Sequence, residues 1–270
     1  MKVRVFIVMG FLLACSGFSA EAAETVDIGD MIKIPGGTFT MGRDDGPADE
    51  KPAHAVSIKM FLLDKTPVTN RRFAVFLNAT GGKTNEKNYR LYDHDDDDAR
   101  IHRVNDTFRA DAGFEEHPVV EASWFGARNY CKWAGKRLPT EAEWEFAARG
   151  KEGRTYPWGN DEPDATRARY GAGWGMTIPV GSLPRGATPE GVLDMAGNTH
   201  EWVGSLYWKY PYRANDGREN PDSMAPRGTR GGGHDDSPNF LRSTYRGEFV
   251  SRNPRAGHRN IGFRCAKSLP

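Results

Sequence analysis

The chain has 270 residues, with 37 Lys and Arg against 36 Asp and Glu, a formal net charge of +1. That balance excludes the basic field of a nucleic-acid partner and a polybasic membrane patch. Its 31 Gly and 17 Pro are scattered throughout and stretches of helical period are few, which is the composition of a loop-rich α+β protein.

Taken in chain order, the first segment reads as an export signal over residues 1–23. Lys2 and Arg4 are positive, Val5 to Ala14 form an apolar run, and small residues follow to Ala23. The run is too short to be a transmembrane helix. Cleavage fits either Ala20-Glu21-Ala22 or the bond before Cys15, where a loose lipoprotein box would put a lipid anchor on Cys15. Residues 24–270 then form one domain, since no Pro/Ser-rich linker divides them. Met31 to Met41 reads as two short strands around Pro35-Gly36-Gly37, with Ile32, Ile34, Phe39 and Met41 core-facing. Val56, Ile58 and Met60 to Leu63 suggest a further strand.

Thr69 caps a helix whose stripe is Phe73, Val75, Phe76 and Leu77 and which Gly81-Gly82 stop. The acidic tract Asp93 to Asp98 has no apolar pattern and is expected as a solvated loop or insertion, with weak cation binding as the alternative, since a run of charge does not fix ligand geometry. A second helix runs from Ser123 to about Trp133, ending at Gly135. A third opens on the capping box Thr140 to Glu143, with Trp144, Ala147 and Ala148 inward. Glu141 and Glu143 are explained here by capping and the helix dipole. Beyond Gly150 short strands and loops are expected. If Cys15 leaves with the signal or is lipidated, Cys131 and Cys265 remain as an even pair, expected as a long-range disulfide in an oxidising compartment; two separate buried thiols are the alternative.

Several segments together resemble the formylglycine-generating enzyme (sulfatase-modifying factor) family. They include IPGGTFTMG from Ile34, HPVVEASWFGARNYCKWAGKRLPTEAEWEFAARG from His117, YPWGN from Tyr156, LDMAGNTHEWV from Leu193, RGGG from Arg230 and NIGFRCA from Asn260. They stand in the family's order and cover nearly all of residues 24–270. The resemblance implies the family's variant of the C-type lectin fold and a core disulfide between Cys131 and Cys265. It also implies a structural calcium held by the carboxylates of Asp194 and Glu201 and the carbonyls of Gly197 and Thr199, oxygen donors of the kind calcium takes. The alternative is that Asp194 and Glu201 cap turns and pair with arginines. At the family's other calcium segment this chain has Arg167 to Tyr170, where Arg169 is a poor oxygen substitute.

At the active-site segment the chain departs from the family. The oxidising enzymes bind copper(I) through two cysteines, whose soft thiolates suit that ion. Here Asp236 occupies the first cysteine position, the second has no clear counterpart, and Gly233 replaces the usual serine. A dithiolate copper site is therefore not expected. His200 replaces the family's usual tryptophan. His200, His234, Asp235 and Asp236 are candidates for a divalent transition-metal site or for acid/base work. The alternative has His200 packed in the core and both aspartates bonded to the following Ser-Pro turn. Arg242 and Arg246, with Trp158, Trp174, Trp202 and Trp208, are candidates to line a groove for a peptide or a small polar metabolite.

The resulting expectation is an exported, periplasmic or envelope protein that tailors a peptide, protein or peptide-derived metabolite, with an oxidoreductase reaction if it is an enzyme. By resemblance, pyoverdine maturation proteins and cysteine-lacking paralogues are of this sort. The competing expectation is a non-catalytic envelope binding or assembly module; formylglycine formation on sulfatases ranks below both. No GxSxG or HExxH motif supports a hydrolase.

Overall fold

Three capped helices anchor the architecture. The computed structural model describes residues 27–82, 89–173, 175–247 and 253–269; the export signal, Cys15 and Trp174 lie outside them. Helix α1 spans Asn70–Thr80, with the Thr69 side chain accepting from the Arg72 amide and Gly81 closing it in the left-handed region at φ 71°. Helix α2 spans Trp124–Trp133 behind the Ser123 cap. Helix α3 spans Glu141–Arg149, with both halves of the Thr140/Glu143 capping box formed. Local side-chain oxygens satisfy the otherwise orphaned first-turn amides, so each helix starts where its cap stands. Val75, expected in the inward stripe of α1, is instead 39% exposed.

Among the described residues, ten short strands complete the fold. Strands β1 (Met31–Ile34) and β2 (Gly37–Met41) flank the Pro35-Gly36 turn without pairing to each other. The expected single strand after Val56 is two, β3 (His54–Ile58) and β4 (Phe61–Asp64). Strand β2 pairs with β3, while β1 pairs with β4. Strands β5 (Ile101–Val104) and β6 (Thr107–Ala110) form a hairpin. Strand β7 (His200–Leu206) lies between antiparallel β8 (Arg227–Arg230) and parallel β9 (Ile261–Phe263). Strand β10 (Ala266–Ser268) adds to β4, giving the order β1-β4-β10.

Two main hydrophobic clusters fill the interior. One packs Phe73, Phe76, Trp124, Tyr130, Trp202 and Phe263 around α1 and α2. The other packs Ile34, Phe39, Phe61, Trp144 and Phe146 between α3 and the early strands. Cys131 and Cys265 form a disulfide that ties α2 to the segment between β9 and β10, across 134 positions.

Candidate functional site

Strand β7 begins with two buried residues of opposite character. His200 pairs in register with Ile261 of β9, and its amide donates to Asn260 O at 2.8 Å. Its ring is fully buried, with Nε2 2.7 Å from Asp236 Oδ2. The approach is oblique, so neither ring nitrogen of His200 has a well-aligned hydrogen bond. Asp236 also accepts from the Gly233 amide at 2.8 Å, and its side chain retains 18% exposure. Burial alone would raise the Asp236 pKa, but the contact with His200 holds it below the usual carboxylate value.

Gly233 makes room for this pair. A Cβ there would stand 3.2 Å from His200 Cδ2 and 3.3 Å from Asp235 Oδ1. The histidine at 200 and the glycine at 233 are thus sterically coupled. His234 is also buried, its amide and Nδ1 both against Asn198 O at 3.1 and 3.0 Å. Its Nε2 has no partner. Asp235 turns to Arg259 at 3.3 Å. The Asp236 and His234 carbonyls accept from the amides of Gly171 and Ala172, which fixes the segment against a neighbouring loop.

The four active-site candidates therefore divide into a His200–Asp236 pair, a separately anchored His234, and an arginine-bound Asp235. Among the described residues, no three His, Cys, Asp or Glu side chains are grouped to hold a metal ion. The expected facial metal set is therefore not assembled, whereas acid/base chemistry needs only the pair. The Ser-Pro turn is not the partner of either aspartate.

The calcium segment is placed differently from the expectation. Both Glu201 oxygens are taken by Arg264 at 2.7 Å each, and Oε2 also accepts from Trp144 Nε1 at 2.9 Å. Asp194 Oδ2 accepts from the Gly181 amide at 2.6 Å, and burial pushes its pKa up to about 6. The Gly197 carbonyl accepts from Thr199 N at 2.8 Å. A guanidinium already neutralises Glu201, so this donor set does not fit calcium. The arginine-pair alternative describes it.

The groove candidates also need correction. Arg246 is buried, with Nε and Nη2 on Glu141 at 2.7 and 2.9 Å, and so belongs to the core. Arg242 reaches the buried Glu50 at 2.8 Å. Trp202 is in the core, whereas Trp208 is exposed and Trp158 is half-buried against Tyr156. Glu141 does more than serve the helix dipole: Arg230, on β8, lies near it at 3.9 Å and pairs closely with Glu145. Sequence reasoning also missed Glu121 and His258, whose environment is described below; a lone glutamate inside the apolar run HPVVEASW was the available signal.

The family profile described as the sulfatase-modifying factor enzyme 1-like domain matches residues 18–269. The chain belongs to this family. The match begins within the stretch read as an export signal. Formylglycine-generating enzyme from Streptomyces coelicolor is 34% identical over 306 residues, covering 94% of each chain. Serine/threonine-protein kinase Pkn1 from Chlamydia trachomatis is 38% identical over 246 residues, which are 89% of this chain but 38% of that protein. The chain thus spans well under half of that longer relative. The solved structure of PvdO from Pseudomonas aeruginosa superposes with a TM-score of 0.66 at 27% identity, covering 89% of this chain and 95% of that one. Family membership and the formylglycine-generating-enzyme fold agree with the sequence reading. No described helix is long and apolar enough to cross a membrane.

Proposed function

We propose that this chain is an exported tailoring or accessory protein of the formylglycine-generating enzyme family, acting on a peptide or peptide-derived metabolite. Its chemistry is proton transfer through His200 and Asp236. The observation that carries this reading is the 2.7 Å contact between a fully buried imidazole and a carboxylate. In such a pair the Asp236 carboxylate accepts a proton from the substrate, and the buried His200 imidazole orients that carboxylate from behind. Asp236, the more exposed partner, faces the solvent side. The export reading rests on the signal-like start and is supported by the disulfide, which persists in oxidising compartments.

Full burial of both histidines favours a second reading, a non-catalytic envelope binding module. Incubation with peptide and metabolite extracts, read as mass changes by liquid chromatography–mass spectrometry, separates the two. The expected result is a product formed by the wild type at a rate about 10²–10⁴-fold above that of Asp236→Asn. A product formed equally by the variant sinks the proton-transfer role. Retention of an unmodified compound by both proteins puts the binding module in front.

A further inference from the structure

Glu121 immediately precedes the short segment that caps α2, with its backbone at φ 59°. Its amide donates to His258 O at 3.1 Å, and its carbonyl accepts from Asp93 N at 2.9 Å. The backbone is thereby clamped between the acidic tract and the loop before β9. The residue is 2% exposed, yet its carboxylate makes no hydrogen bond or ion pair among the described residues. A buried carboxylate without a partner is costly, because the charge loses its hydration and gains nothing in return. Burial first, then the nearby charges of Asp96, Asp93 and Asp98, push its pKa up to about 8.

The carboxylate borders a cavity of about 360 Å³ that is also lined by Asp96, Asp97, Asp98, His258 and Arg259. Gly257 leaves Glu121 bare on that side, since a Cβ there would stand 2.6 Å from Oε2. His258 also lines this cavity, and its buried Nε2 has no hydrogen-bond partner. One wall is cationic: Arg259, which reaches Asp235 at 3.3 Å. Three aspartates against one arginine leave the cavity net negative even while Glu121 is protonated.

We propose that this cavity binds one hard divalent cation, with the Glu121 carboxylate, His258 Nε2 and Asp96 as its protein ligands. These two groups lack partners, and they are the oxygen and nitrogen donors that manganese-like ions accept. These side chains are not yet gathered at ligating distance, and the cavity far exceeds the 10–15 Å³ that one water needs. The ion is therefore held with part of its water shell, and the tract from Asp93 to Asp98 closes on it. This assigns the acidic tract a role that its sequence alone did not justify. It also places the cation away from Asp194 and Glu201.

Titration of the full chain with MnCl2, followed by electron paramagnetic resonance of free Mn²⁺, tests the assignment. The expected result is one Mn²⁺ per chain, with affinity weakened tenfold or more in Glu121→Gln and in Asp96→Asn and unchanged in Asp194→Asn. Asp96 lies on the exposed tract, so its variant keeps the test decisive if Glu121→Gln does not fold. Mn²⁺ should also broaden the His258 ring resonances before those of other histidines. Absence of binding, equal affinity in Asp96→Asn and the wild type, or loss in Asp194→Asn alone would overturn the proposal.

Discussion

Two buried polar regions lie within one sheet of each other and are built on opposite rules. Around α3, at Arg230 of β8 and at Arg246, the charges are matched. Arg246 spans Glu141 with two hydrogen bonds and also donates to Asp49 O and Trp208 O at 2.8 and 2.9 Å. Arg230 pairs with Glu145 while donating to Thr244 O and Tyr245 O, and Arg264 holds Glu201. At the start of β7 and in the loop before β9, buried groups are left open: Nδ1 of His200, Nε2 of His234 and Nε2 of His258, together with the Glu121 carboxylate. Matched burial fixes a scaffold. Unmatched burial costs stability and is tolerated where binding or proton transfer needs it.

The sharpest way to break this comparison is to remove a matched charge. Glu141→Ala leaves the buried Arg246 without its carboxylate, with an expected loss of about 3–5 kcal/mol, measured as a shift of the urea midpoint. Asp236→Asn probes the boundary between the two regions. The folded-state pKa of Asp236 is depressed, so its contribution is present above the unfolded value and is lost as pH falls through the folded one. The stability gap between wild type and variant should therefore be constant near neutrality and close below about pH 3.8, the ordinary carboxylate value. His234→Phe should have the smallest effect, within about 1 kcal/mol by thermal unfolding, because it removes one hydrogen bond and also an orphan nitrogen. A large loss there would place His234 in the scaffold.

What was legible in the sequence follows the range of the interactions involved. Thr69, Ser123 and Thr140 announced three helix starts because a cap reads only the next few amides. Strand pairing was not legible: β1 and β2 adjoin in the chain but join different partners, β4 and β3, a choice that the local pattern of each strand does not carry. The hairpin of β5 and β6 was passed over although Asn105 and Asp106 carry its left-handed turn, at φ 49° and 62°; Asn-Asp between short polar strands is a faint signal. The family motifs led to His200 and Asp236, and their contact was one of the open alternatives. Arg246 was misplaced because arginine is usually exposed, and only the fold shows that Glu141 stands opposite it. Glu121 was visible as a charge in an apolar run, but its distant neighbour His258 was not.

The segment from Ile261 to Ser268 bears on how the chain reaches its fold. It supplies β9 beside β7, Arg264 to Glu201, Cys265 to Cys131, and β10 beside β4. The Cys265 amide bonds Asp64 across 201 positions. During synthesis every element that this segment joins emerges before it does. The two main clusters cannot be locked together until it has been made. Such distant pairings close late and slowly, which leaves the polypeptide threadable throughout that interval.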